Sequence, residues 1–241
     1  MTMKIPTKQL LEAINLVESQ SCDTLTVTCN EEGWTIYCID PSHVSLAYIV
    51  FSKAFFTDYE ELPSFSVACS TLKDVLKAHN TETISFEVSN GRVTITGGGM
   101  VSKLSLDNFV DIARKFPNLE PEARAETDAS VFEKVFQAAK ICGSHTVTIQ
   151  FIDKDSIKLT SENDTGEGSV VSVPADDCSF LEGNAVATYD ATMLKAGLGA
   201  FPKGALITLS FSTDTPLIAS WAGANWSMKW MLAPQIIPEE V

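Results

Sequence analysis

The chain has 241 residues, 45% of them hydrophobic and 20% charged, which fits an ordered globular protein of one large domain or two of about 120 residues. No apolar run reaches the roughly 18 residues of a membrane span, and Met1–Pro6 lacks the apolar core of a secretory leader, so an intracellular protein without a membrane partner is expected. The net charge of −14 argues against nucleic-acid binding on composition alone, but the placement of the 17 Lys and Arg residues matters more than their sum.

In chain order, Leu10, Leu11, Ile14 and Val17 recur at helical spacing and predict a helix from Thr7, as N-cap, to about Glu18. Alternating strands are expected at Leu25–Cys29, Trp34–Ile39 and Val44–Phe51, with Asn30-Glu31-Glu32-Gly33 as a hairpin turn. A strand Phe65–Cys69 leads to a second helix capped by Ser70 or Thr71, with Leu72, Val75, Leu76 and His79 on one face. Strands follow at Thr83–Val88, Arg92–Thr96 and Val101–Leu106, with Asn90-Gly91 as a tight turn.

The second half repeats the pattern. Strand Ala123–Thr127 precedes a helix Ser130–Ile141, capped by Asp128, whose apolar set is Val131, Phe132, Val135 and Phe136. Strands are expected at Thr146–Ile152, Ser156–Thr160, Ser169–Val173 and Ala185–Tyr189. A helix from Ala191 to Ala200 follows, despite Gly197 and Gly199, and then strands Ala205–Ser210, Leu217–Trp221 and Trp226–Leu232. Two halves of β-α-βββ-β-α-βββ form result. Residues 107–122 between them are polar, carry Pro117 and Pro121, and read as a surface connector. Consecutive antiparallel strands with helices on one sheet face make an α+β fold. The domains expected are 1–107 and 123–241, with 108–122 as the connecting loop.

The six cysteines form no C-x-x-C pair, and most sit in apolar strand-like runs, so reduced, inert thiols are expected. Cys29, Cys38 and His43 lack zinc-ligand spacing, and no metal or cofactor is expected. Asp40, Ser42 and His43 cluster in one tight turn, where a hydrolytic relay lacks room. Asp and Ser bonding to backbone N–H groups fit better, and no catalytic residue is assigned. Gly97-Gly98-Gly99 precedes no helix and is a bend, not a phosphate loop; Asp164–Gly168 is a hairpin loop, not a calcium loop. Lys8, Lys73, Lys77, Lys134 and Lys195 fall on the polar faces of the four helices, though Glu12 and Asn15 share the face of Lys8. Prolines at 234 and 238 prevent the C-terminal tail from continuing a central strand, so it should lie on the surface as an apolar strip suited to a partner.

The stretch Cys38-Ile39-Asp40-Pro41-Ser42-His43-Val44-Ser45-Leu46 resembles a "(M/I)-D-x-S-H-V-(A/S)-L" segment, and Trp230-Met231-Leu232-Ala233-Pro234-Gln235-Ile236 resembles a terminal "L-A-P-(K/R)-(I/V)". Both belong to the DNA sliding clamps of the proliferating-cell-nuclear-antigen type, archaeal and eukaryotic branch. The resemblance implies a non-enzymatic clamp fold: two similar domains per subunit, helices on the inner face of a ring of three identical subunits, and enclosed duplex DNA bound without regard to sequence. It implies a processivity factor that tethers DNA polymerase, flap nuclease, ligase and clamp loader through peptide motifs. The five lysines would face the DNA. Ile39, His43, Val44, Leu46, Leu119, Pro216, Met231, Ala233, Pro234 and Ile236 would form the client-peptide pocket. Head-to-tail pairing of Val101–Leu106 with Ser169–Val173 would close the ring. Two alternatives are a subunit of a heterotrimeric clamp and a small cytosolic enzyme using His43 or a cysteine.

Overall fold

The structure is a computed structural model that describes residues 3–108 and 115–236. It divides into two compact units. Unit 1 comprises Met1–Phe116 with Ala222–Lys229; unit 2 comprises Pro117–Trp221 with Trp230–Val241. Residues 109–114 of the expected connector and 237–241 of the tail lie outside the described residues.

Unit 1 runs β1 (Lys4–Pro6), α1 (Thr7–Glu18), β2 (Thr24–Asn30), β3 (Gly33–Ile39), β4 (Ser45–Ser52), β5 (Phe65–Ala68), α2 (Cys69–His79), β6 (Thr83–Ser89), β7 (Arg92–Gly97) and β8 (Met100–Ser105). Its strands lie in the orders β1-β6-β7-β8 and β4-β3-β2-β5. The strand before each helix therefore joins the strands of the other repeat: Ile5 of β1 sits opposite Ile84 of β6, and Leu25 of β2 opposite Val67 of β5. Unit 2 runs β9 (Ala123–Asp128), α3 (Glu133–Cys142), β10 (Thr146–Ile152), β11 (Ser156–Glu162), β12 (Gly168–Pro174), β13 (Phe180–Glu182), β14 (Ala185–Asp190), α4 (Ala191–Leu198), β15 (Leu206–Phe211), β16 (Leu217–Ala222) and β17 (Trp226–Leu232), the last shared between the units. The exchange recurs in the orders β12-β11-β10-β14 and β13-β9-β15-β16. Ile149 of β10 faces Ala187 of β14, and Leu209 of β15 faces Ala125 of β9.

Each unit is built around a buried tryptophan. In unit 1, Trp34 has the rings of Phe56, Phe65 and Phe86 at 4.9, 5.8 and 5.6 Å, and Trp226 stacks on Phe51 at 5.5 Å. In unit 2, Phe151 meets Phe211 edge-on at 4.8 Å, and the buried Tyr189 donates its hydroxyl to Thr215 O at 2.9 Å. Trp230 lies against α4 at Gly197. A Cβ there would come within 2.2 Å of the indole, so glycine is the residue that lets helix and ring approach. The Asn90-Gly91 turn is as expected: both residues have positive φ, 51° and 70°, the geometry a two-residue hairpin demands.

Several expectations change. Thr7 begins α1 but does not cap it: Pro6 holds the cap position without a side-chain bond, and the Thr7 hydroxyl is buried without a hydrogen-bond partner. Neither Ser70 nor Thr71 caps α2, because the helix starts at Cys69 immediately after β5. The third helix opens as a 3-10 turn, Ala129–Phe132, before α3; Asp128 does hold it, accepting from Ser130 N at 2.7 Å. The fourth helix stops at Leu198, two residues early, and Asp190 caps it by accepting from Met193 N at 2.8 Å. The short strands β1 and β13 carry too few residues for a periodic signal. Cys22 and Cys38 form a disulfide, so those two are not the reduced thiols expected.

Candidate functional site

The turn after β3 is organised by Asp40. Its buried carboxylate accepts from Ser42 N and Val44 N, both at 2.8 Å, and from Ser45 N at 2.5 Å, while its own N–H donates to Ser45 O. With three backbone donors on its carboxylate, Asp40 orders the turn, and none of the bonds it accepts comes from the His43 imidazole. His43 donates its N–H to Asp40 O and takes a left-handed φ of 60°, which places it exposed at the tip. Val44 is 36% exposed, whereas Leu46 is 3% exposed and belongs to the core of unit 1. Ile39 and His43 line an open groove of about 400 Å³ together with Tyr37, Asp23 and both disulfide cysteines.

Unit 2 supplies the other expected pocket residues. Leu119, 42% exposed, and Pro216 line a cavity of about 170 Å³ with Pro121, Phe211 and Ile218. Met231, Ala233 and Pro234 are half-buried, and Ile236 is 78% exposed. Gln235 N donates to Thr188 O at 2.7 Å, which ties the tail to β14 and leaves the side chains on either side available. The pocket set thus divides into four residues of unit 1 and six of unit 2.

The helix lysines do not behave alike. Lys8 lies 3.9 Å from Glu12 one turn along α1. Lys73 is paired with Glu18, and its side chain is only 15% exposed. Lys77, Lys134 and Lys195 are exposed, and none of them is in a salt bridge among the described residues. Lys140, near the end of α3, is also exposed. The disulfide was not legible, because pairing among six cysteines is not encoded in their spacing.

The edge strands are open. β8 and β12 each end a sheet order; Val101 is 59% exposed and Val170 is 63% exposed. An unpaired strand edge with exposed β-branched residues is a template for another strand.

Three of the remaining cysteines, Cys29, Cys69 and Cys178, offer little chemistry. Burial, with the Glu61 carboxylate adding, pushes the Cys29 thiol up to about 12. Burial and Glu18 push Cys69 to about 11. Burial also raises Cys178. Thiols held protonated in this way are poor nucleophiles. The Asn163 side chain accepts from Thr165 N at 3.1 Å and Glu167 N at 2.9 Å, which accounts for the 164–168 loop as a hairpin turn. Among the described residues no group of three or more His, Cys, Asp or Glu is arranged to hold a metal, and no helix is long and apolar enough to cross a membrane.

No protein-family model matches the chain. It is 21% identical to a DNA polymerase sliding clamp of Methanococcus maripaludis, covering 95% of this chain and 96% of the relative. It is 25% identical to a proliferating cell nuclear antigen of Dictyostelium discoideum, covering 95% of each. Among solved structures, A. fulgidus PCNA bound by the C-terminal region of FEN-1 superposes with a TM-score of 0.85 at 20% identity, covering 99% of this chain and all of that one.

Proposed function

We infer that this chain, a member of the DNA sliding-clamp family of the proliferating-cell-nuclear-antigen type, is a DNA polymerase processivity factor that encircles duplex DNA and tethers other proteins to it. The observation that carries this reading is the end-to-end match with the relatives together with two open edges, β8 in unit 1 and β12 in unit 2. Pairing of β8 of one copy with β12 of the next satisfies both edges head to tail, and a closed ring of three copies follows from the family fold. Residues 1–107 and 123–241 are then the two clamp domains, and 108–122 the connecting loop.

The mechanism is tethering. A ring around DNA holds a polymerase at its substrate at high effective concentration, so weak contacts suffice for long synthesis. It requires no turnover, and clamps of this type are non-enzymatic scaffolds. The intracellular place of DNA replication follows with the role. Polymerase, flap nuclease, ligase and clamp loader would dock through short peptides. Their aromatic anchors would enter the apolar set of Val44, Leu119, Pro216, Ala233, Pro234 and Ile236. Lys8, Lys77, Lys134 and Lys195, and Lys73 from within its pair with Glu18, would face the phosphates, which carry no base information, so binding is sequence-independent and steeply salt-dependent.

Two measurements test this. Light scattering on the isolated chain should give three times its mass; a stable monomer at micromolar concentration would overturn the homotrimer, and assembly only with a second clamp chain would make it a heteromeric subunit. Primer extension on circular DNA with a loader and polymerase should lengthen products when the chain is added. A peptide carrying a glutamine, an aliphatic residue and two aromatics at helical spacing should bind, and Ile236→Ala should weaken it by about 1–2 kcal/mol by calorimetry. Unchanged affinity would move the pocket elsewhere.

A further inference from the structure

Cys22 follows α1 in the loop to β2, and Cys38 is the penultimate residue of β3, two before the turn organiser Asp40. The disulfide between them joins the segment that leaves α1 to the base of the 40–45 turn. A second link runs beside it. The Ser45 hydroxyl donates to the Gln20 side-chain oxygen, and the Gln20 amide donates back to Leu16 O of α1 at 3.2 Å. The two sulfurs differ in access: Cys38 is 5% exposed and Cys22 half-buried, and both line the open groove described above. The groove walls include Asp23, Thr24, Thr26 and Tyr37, and no Lys or Arg is among the described lining residues. Cys22 Sγ also lies 3.1 Å from Ile39 O, so a thiol at this position has an acceptor already in place.

We propose that the Cys22–Cys38 pair is a thiol–disulfide exchange site. It is entered at Cys22 by a small neutral or cationic thiol seated in this groove, and its redox state sets the rigidity of the 40–45 turn. The incoming thiolate forms a bond to Cys22 Sγ. The S–S bond breaks, and its electron pair leaves on Cys38 Sγ, which takes up a proton. A second thiolate attacks the outer sulfur of the mixed disulfide and releases Cys22, which is protonated and donates to Ile39 O. The protein disulfide is reduced to two thiols, and two small thiols are oxidised to one disulfide. Entry at Cys22 follows from access, since Cys38 has almost no exposed surface. The preference for an uncharged or positive thiol follows from Asp23 and Asp40 lining the groove with no Lys or Arg among the described lining residues, His43 being the one basic side chain there. The mechanical effect follows because breaking the bond removes the covalent link between the end of α1 and the turn and leaves hydrogen bonds, Gln20 with Ser45 and Cys22 with Ile39 O, in its place. The proposal stands on unit 1 alone and is independent of the clamp reading.

The test uses the full chain as purified. Samples are exposed to cysteamine, dithiothreitol or glutathione, quenched by alkylation, and mapped by peptide mass spectrometry. Cys22 and Cys38 should alkylate together only after reductant. Cysteamine should be trapped as a mixed disulfide on Cys22. Cysteamine should also react about threefold faster than glutathione at low salt, with the difference shrinking in Asp23→Asn. Amide exchange at Val44 and Ser45 should rise about tenfold on reduction and in Cys22→Ser, whose hydroxyl retains the bond to Ile39 O. A mixed disulfide on Cys38, a pair inert to thiols in the folded chain, or free labelling without reductant would each overturn the site. Equal rates for the two thiols would overturn its charge selection, and unchanged exchange at Val44 and Ser45 would overturn the link to the turn.

Discussion

The helices of the two units hold three lysines each but differ in free positive charge. In unit 1, α1 and α2 carry Lys8, Lys73 and Lys77 against Glu12, Glu18 and Asp74, and two of the lysines are paired to Glu12 and Glu18. In unit 2, α3 and α4 carry Lys134, Lys140 and Lys195 against Glu133 alone. An ion pair as exposed as Lys8–Glu12 adds roughly 0–1 kcal/mol to stability. The larger consequence of the pairing is electrostatic: a lysine neutralised by a neighbour offers a phosphate less. The same fold, repeated in one chain, thus presents one nearly neutral helix pair and one basic pair. A repeated architecture does not imply a repeated role.

The largest single-residue effects are expected in the two cores. Trp230→Ala should cost about 3–5 kcal/mol through the cavity left against α4, and Trp34→Ala should cost as much in unit 1. Urea unfolding checks both, and if the units unfold separately each substitution moves a different transition. Gly197→Ala should also destabilise unit 2, by about 1–3 kcal/mol, although alanine favours helix, because its Cβ would meet the Trp230 ring.

Alkaline pH should strain unit 1 next. The Cys29 thiol is raised from 9.0 to about 12, so the folded state holds its proton more tightly than the unfolded chain. That contribution is fully present below pH 9 and is lost as pH rises toward 12, at up to about 1.4 kcal/mol per pH unit. Cys29→Ala should flatten the slope in denaturant titrations at pH 8 to 11; an unchanged slope would place the alkaline loss elsewhere.

The charge asymmetry itself has a smaller and sharper signature. In a ring of three copies, Lys134→Gln with Lys195→Gln removes six lysines, so it should weaken DNA binding at least tenfold near physiological salt and reduce the salt slope by up to about 5, at roughly 0.9 per phosphate contact. Lys8→Gln with Lys73→Gln should change the slope by less than half as much. Fluorescence anisotropy across a salt series measures both, and equal slopes would erase the distinction. The smallest effect expected is that of Lys73→Gln alone, within about 0.5 kcal/mol in stability and nearly silent on DNA.

Much of this molecule was legible before its structure. The bounds of α1, Thr7 to Glu18, followed from Leu10, Ile14 and Val17 returning every third or fourth residue, a period set within a few turns of chain. The Asn90-Gly91 turn and the Asp40 turn were readable because the residue type itself demands the backbone geometry. The residues at the two motifs carried the family likeness. What remained hidden depends on partners distant in sequence. α4 stops at Leu198, short of its apparent pattern; β1 and β13, at three residues each, are too short to show a period.

By itself, the sequence determined the succession of helices and strands, the inward faces of each, the turns and the two motifs, because those are fixed by neighbours a few residues away. Only the tertiary structure decided that the strand before each helix crosses to the other repeat, that Cys22 meets Cys38 across 16 positions, and that Glu18 of α1 neutralises Lys73 of α2. These pairings depend on contacts between distant segments, which the summed packing of a unit selects and no local pattern specifies.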